Sequence, residues 1–327
     1  MRKQMGILPG RFWVGWAWLM SFAVLVGCAS GRDVVADGDW CAHAPQGRPA
    51  RFLVGTVSTG RFEHGPVAVS PDTREIFWSS HFPDDPLSRI LTVRMTEKGW
   101  SEPKAAPFSL PYNSGEPFFI GPSSILFRSD RPAPGSGEIV RTYWTVERTD
   151  AGWGEPAPLG APFLGVSWQS SMTRDGAIYF VMDENARDDD FGKDDLYRSR
   201  RVNGTYEEPE NLGPRINTPY YDWGPFIFPD ESALLFASTR PGGRGSSDLY
   251  VCFREPDGAW TLPRNLGRPV NTARHENWPS LSPDGRCLFF VRSRGGDADV
   301  YWVDASFLEE LREEELEQFT DGIAQTR

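Results

Sequence analysis

Three carboxylates, Glu116, Asp222 and Glu276, recur ahead of short apolar runs, and opposed carboxyl groups are what glycoside cleavage requires. His64 adjoins Glu63 and His275 adjoins Glu276; with His81 they are three of the four histidines, and imidazole with carboxylate from separate loops suits a divalent cation. No local spacing supports such a metal set, and exposed carboxylates are common in a chain this acidic, so neither a catalytic nor a metal residue is assigned. The run from Asp188 to Asp195 suggests calcium but lacks the ordered alternation of an EF-hand loop, and reads as a solvated loop. Nothing resembles a nucleophile elbow, a phosphate loop or a zinc motif. No cofactor is expected; a divalent cation among those histidines is the one weighed.

The elements that would position these residues repeat. Trp100, Trp153, Tyr206 and Trp260 stand 53, 53 and 54 residues apart, each followed three residues later by proline. Turn dipeptides Pro71-Asp72, Arg174-Asp175, Pro229-Asp230 and Pro283-Asp284 each precede a short aromatic-rich run such as Leu234-Leu235-Phe236. Then come Ser-x-Arg with glycines, as in Ser238-Thr239-Arg240, and a further step, Asp195-Leu196-Tyr197, Asp248-Leu249-Tyr250 and Asp299-Val300-Tyr301. Apolar runs this short, bounded by Pro, Gly and Asp, are strands, and four per 50-odd residues make a propeller blade. The expected fold is all-β: a single β-propeller of four-stranded blades, five by count with six as the alternative, and a short C-terminal helix. The fourth strand is expected to start at Gly-x-Trp. The last unit lacks it, and the segment from Pro49 with Phe52-Leu53-Val54 lies in the right phase to complete that blade and close the ring.

In such a ring the loops between blades and those between second and third strands share one face, the default place for a ligand. The residues expected there as a binding surface are His64, Glu116, Arg131, Trp168, Asp222, Trp223, Arg240, His275, Glu276, Trp278 and Arg294. The competing reading is that the tryptophans cap inter-blade packing and the arginines hold loops through backbone carbonyls. Asp195, Asp248 and Asp299 recur so regularly that they read as structural turn carboxylates.

Ser-Pro-Asp-Gly, Ser-x-Arg-x-Gly-Gly and Asp-Leu-Tyr at this spacing resemble the WD40-like repeats of bacterial TolB-type propellers, over about residues 49–304. The resemblance implies a propeller in the cell envelope and no single activity. Units one and two depart from the pattern: Ser79-Ser80-His81 lacks the arginine, and Arg89-Ile90-Leu91 and Glu138-Ile139-Val140 replace Asp-Leu-Tyr.

The N-terminus supplies an address. Arg2, Lys3 and Arg11 precede an apolar stretch from Phe12 to Val26, too short to span a bilayer and arranged like a secretory signal. Leu25-Val26-Gly27-Cys28 resembles the lipobox of bacterial lipoproteins, which implies residues 1–27 as signal peptide and an acylated Cys28. Residues 28–48 are expected to be a polar tether, 49–304 the propeller and 305–327 an acidic amphipathic helix and tail. Ala29 and Ser30 imply sorting to the outer membrane, facing the periplasm.

Composition agrees. Removing the three basic residues of the signal from 34 leaves 31 against 45 acids, a mature charge near −14. That argues against nucleic acid or an anionic lipid surface as partner. Cys252 and Cys287 are expected as buried small apolar residues, with Cys41 in the tether. Phe307, Leu308, Leu311, Leu316 and Phe319 among glutamates suit a helix docked on the propeller, the alternative being a free partner-binding helix. The expected function is binding of an envelope protein or a saccharide; the alternative is a carbohydrate-active hydrolase or lyase. If Cys28 carries the lipid, Cys28→Ala should leave an uncleaved precursor without incorporated palmitate. Persistent palmitate labelling of that variant would contradict the lipoprotein reading.

Overall fold

A computed structural model describes residues 39–81, 86–132, 135, 141–164, 166, 169–183 and 189–325. Residues 1–27, Cys28 and Trp168 lie outside the described residues. The aromatic and β-branched runs form strands buried on both faces, because each sheet is covered by a neighbour on either side.

Four of the five blades run consecutively along the chain. Blade one holds Glu63–Val69, Glu75–His81, Ser88–Thr96 and Lys104–Ala105, and blade two Ser114–Gly121, Ser124–Ser129, Thr142–Thr149 and Ala157–Pro158. Blade three holds Ser171–Met172, Ile178–Met182, Asp195–Ser199 and Glu210–Asn211. Blade four holds Asp222–Ile227, Ala233–Ser238, Asp248–Phe253 and Arg264–Asn265. Blade five takes His275–Leu281, Cys287–Arg294 and Asp297–Asp304, then borrows its outer strand from the other end of the chain. Ala50 pairs with Trp302 and Arg51 with Tyr301, antiparallel, so the sheet has no open edge where the ring closes. The chain is a five-bladed β-propeller.

Five hydrophobic clusters fill the five gaps between blades. The periodic aromatic is the wedge. Trp153 meets Phe108 at 5.0 Å, Tyr206 meets Phe163 at 4.9 Å, and Trp260 meets Tyr179 at 6.5 Å. The Gly-x-Trp step does not open the outer strand, however. In blade one Gly99–Trp100 pairs with Met95 and Thr96, and the outer pairing resumes beyond the proline at Lys104–Ala105. The reason is the proline, which lacks the N–H that a continuous ladder would need.

Two further expectations change at the N-terminus. The tether was expected to run to residue 48, yet Trp40–His43 forms a short 3-10 helix with Trp40 wholly buried. Its ring lies 5.6 Å from Phe52 and 5.9 Å from Phe289, and its Nε1–H donates to Thr73 O at 3.1 Å. Cys287 is not a lone buried thiol: it forms a disulfide with Cys41 across a sequence separation of 246, whereas Cys252 is free and buried. Periodicity carries no information about this segment, because it belongs to no repeat. Asp39, the first described residue, pairs with Arg286 beside the Pro283-Asp284 turn, so the chain arrives on the Pro-Asp face.

At the other end Phe307–Gln325 is a helix whose Phe307, Leu308 and Leu311 join the cluster between blades four and five, with Arg264 paired to Glu314 at 2.5 Å. Within the ring, Phe118 of blade two meets Phe226 of blade four at 6.1 Å, and Gln169 donates to Pro279 O at 3.1 Å. The axial channel is thereby obstructed below its mouth.

Docking of residues 39–43 is testable. Trp40→Ala should cost about 3–5 kcal/mol, the range for truncating a buried Trp, read as a fall in the urea midpoint. An unchanged midpoint would mean that this segment is a tether after all.

Candidate functional site

Four inner strands share one irregularity. After the first two or three residues the register slips, and the slip carries a residue with positive φ followed by proline. These are Gly65 (φ 76°) before Pro66, Glu116 (φ 59°) before Pro117, Gly224 (φ 63°) before Pro225 and Trp278 (φ 48°) before Pro279. A bulge bends a strand and re-aims its side chains, which lets inner strands converge on a narrow axis. Glycine adopts this conformation freely, and a Cβ on Gly65 would stand only 2.9 Å from Ser79 Oγ. Glu116 and Trp278 hold it against their own sterics, at a cost of order 1–3 kcal/mol each.

Both strained residues line the same cavity. It has a volume of about 550 Å³ and opens at the mouth of the propeller. Phe62, His64, His81 and Trp278 form its wall on blades one and five, and Tyr221, Trp223 and His275 its wall on blades four and five. Blade two supplies Glu116, Arg128 and Arg141. His64 and His81 stack at 4.8 Å, with Phe62 6.1 Å from His81 and Trp278 6.2 Å from His64. Across the mouth Trp223 lies 5.6 Å from His275.

His64 is positioned tightly. One ring nitrogen lies 3.2 Å from Phe62 O and the other 2.8 Å from Ser88 Oγ, the pattern of a neutral imidazole that donates to the carbonyl and accepts from the hydroxyl. Burial, with His81 and Arg128 nearby, lowers its pKa to about 4. Burial lowers that of His275 as well. His64 and His275 therefore present neutral rings at neutral pH. Among the described residues no cluster of His, Cys, Asp and Glu could hold a metal ion.

Of the three carboxylates considered for glycoside cleavage, only Glu116 reaches this cavity. Asp222 is fully buried and saturated: Arg240 Nη2 donates to Oδ1, while Thr218 N and Oγ1 donate to Oδ2, each at 2.7 Å. Glu276 repeats the arrangement with Arg292 Nε at 2.7 Å, Thr272 Oγ1 at 2.6 Å and Thr272 N at 3.0 Å. Glu116 sits two positions further along its strand than these two, at the bulge itself, so spacing alone misaligned them. Arg128 Nε donates to its Oε2 at 3.1 Å, and burial raises its pKa against the opposing pull of Arg128.

Arg131 and Arg240 are internal too. Arg240 stacks 5.1 Å from Phe236 and 4.9 Å from Tyr250 and donates to Ile216 O at 2.7 Å; Arg131 stacks on Phe127 and Trp144 and donates to Phe108 O. Arg294 is exposed at a hairpin tip outside the cavity wall. The cavity thus gathers His64, Glu116, Trp223, His275 and Trp278 and leaves out Asp222, Glu276, Arg131, Arg240 and Arg294. The sequence reading of the site missed Arg128, Arg141, Ser88 and Asn113, which follow no repeated mark. The proline after each bulge was the available signal. Asp195 and Asp248 are structural: Asp248 accepts from Arg244 N at 2.6 Å and Gly245 N at 3.0 Å, and Asp195 from Phe191 N at 2.6 Å.

No protein-family model matches the chain, and no curated protein matches it in sequence. Solved structures do resemble it. An α-L-arabinofuranosidase from Lactobacillus brevis shares 12% identity over 76% of this chain and 91% of its own, at a TM-score of 0.49. TolB from Acinetobacter baumannii shares 16% over 73% of this chain and 54% of its own, at 0.45. A gluconolactonase from Xanthomonas campestris shares 14% over 76% and 88%, at 0.45. These likenesses concern fold alone.

The Thr-x-x-x-acid lock recurs once more, at Thr59 and Glu63, but blade one has no arginine for it. Thr59 Oγ1 donates to Glu63 Oε1 at 2.5 Å, and Oε2 is buried without a partner. Burial, aided by Asp299, raises the Glu63 pKa from 4.5 to about 7. The folded state then binds this proton more tightly than the unfolded chain. The resulting stability is fully present below about pH 4.5 and is lost as pH rises to about 7. Glu63→Gln should flatten that part of the stability–pH curve, measured by urea unfolding at successive pH values. An unchanged slope in the variant would show that Glu63 does not carry this proton.

Proposed function

We propose that this chain is a cell-envelope binding module whose mouth cavity captures a saccharide. The observation that carries the reading is the cavity lining itself: aromatic and imidazole faces on one side, a buried Glu116–Arg128 pair on the other, and strained backbone at both Glu116 and Trp278. Bulges and left-handed non-glycine residues cluster at functional sites. Aromatic faces suit the C–H face of a sugar ring, and such anchors dominate binding energy. Two of the three carboxylates that catalysis would draw on are locked by arginine and threonine, which favours binding over cleavage. A partner protein inserting an aromatic or arginine side chain is the alternative occupant.

A second reading has one observation in its favour. Glu116 and Asp194 both line the cavity, and a hydrolase or lyase needs two such groups. Release of reducing ends or unsaturated products, abolished by Glu116→Gln, would establish it.

We further propose that the chain is a lipoprotein of the Pro-Asp repeat type, anchored through Cys28 at the outer membrane. The Cys41–Cys287 disulfide supports an oxidising compartment. Because Asp39 lies on the Pro-Asp face, the anchor would leave the mouth pointing away from the membrane.

A glycan array followed by calorimetry tests the binding reading. The Trp223→Ala, Trp278→Ala double variant should lose its glycan signal by at least about tenfold while keeping its circular dichroism, and Asp72→Ala on the opposite face should not. Undiminished binding by the folded double variant would place recognition elsewhere.

A further inference from the structure

The polar groups of the cavity are unevenly satisfied, and that unevenness points to a particular ligand. Asn277, only 2% exposed, lines the cavity and leaves Oδ1 buried with no partner. Trp223, one position before its bulge like Asn277, leaves its indole Nε1–H equally unpartnered. Buried acceptors and donors without partners are costly, and a ligand that supplies the missing hydrogen bonds removes the cost. One acceptor and one donor beside aromatic faces suit a ring bearing several hydroxyls.

The charges on the blade-two wall add a second requirement. Glu116 takes Arg128 Nε, and the two terminal guanidinium nitrogens of Arg128 bond to no described residue. Arg141, exposed in the same wall, forms no ion pair or hydrogen bond with any described residue. Asp194 is the other carboxylate of the lining; it lies just before the third strand of blade three and bridges to Tyr221 at the entry to blade four. Blade two therefore presents two guanidinium groups against one carboxylate, in a chain whose formal charge is −11. A fork of N–H donors matches a carboxylate in geometry and charge.

We propose that the ligand is an acidic saccharide, a chain containing uronate residues, with a sugar ring against Trp278 and Trp223 and its carboxylate held by Arg141 and Arg128. This rests on the saccharide reading of the mouth and narrows it. Asn277 Oδ1 and Trp223 Nε1 take ring hydroxyls, as acceptor and donor.

The test uses the mature protein and two- to six-residue oligosaccharides of galacturonate, glucuronate and mannuronate, each beside its neutral hexose counterpart, in calorimetry. At least one uronate series should bind about tenfold or more tightly than its neutral partner, and added salt should weaken it. Arg141→Ala should remove most of that preference, with Arg141→Lys restoring part of it. Equal affinity for acidic and neutral series would overturn the uronate assignment while leaving the saccharide reading intact. Failure of every acidic and neutral series to bind would overturn both. A uronate preference that survives Arg141→Ala undiminished would overturn the role given to blade two.

Discussion

Five inner strands must converge on one axis too narrow for five regular strands, and most of the molecule's chemistry follows from how they do so. Four of them slip register and place one residue in the left-handed region just before a proline. The bend turns the residues around it toward the mouth. Where that residue is Gly65 or Gly224 the solution is only structural. Where it is Glu116 or Trp278 the strand gives up conformational energy and gains a side chain aimed at the cavity. Below the bulges Phe118, Phe226 and the Gln169–Pro279 bond obstruct the channel, so the mouth is a pocket and not a pore.

A second device holds the ring together and explains why the mouth is chemically uneven. A threonine and an arginine lock the buried acid that opens the inner strand in blades four and five. Blade one keeps the threonine and the acid without the arginine, and Glu63 is left half-satisfied at the seam where the ring closes. Blade two has Ser114 at that position and moves its acid to the bulge, where Arg128 meets it inside the cavity. The charged wall of the cavity, Glu116 with Arg128 and Arg141, is therefore the side where the repeat breaks down.

The architecture was legible because period, turn and strand marks all report the same local geometry. Thr73, Gly176, Glu231 and Gly285, the residues that follow the four turn dipeptides, all take positive φ. Closure by the N-terminal segment was legible from phase too. The site was legible only in part. Tryptophan spacing put Trp223 and Trp278 in equivalent positions, but they stand on successive positions of the bulge. Spacing likewise grouped Glu116 with Asp222 and Glu276, since a one- or two-residue slip inside a strand is invisible to a period near 53 residues. Arg131 and Arg240 looked like ligand groups because exposure of a guanidinium depends on the aromatic rings and carbonyls it meets, which are remote in sequence. Trp40 and Cys41 lie outside any repeat, and their partners Phe289 and Cys287 are some 250 residues away.

The central claim is that recognition occurs between Trp223 and Trp278 at the mouth, not on the blade edges or the Pro-Asp face. The 15N–1H signals of the indole groups report on it directly, since each tryptophan gives its own side-chain resonance. On titration with a bound glycan, the signals of Trp223 and Trp278 should move together and saturably, while those of Trp40 and Trp260 stay in place. Shifts confined to Trp40, Trp260 or other tryptophans away from the mouth would contradict the account.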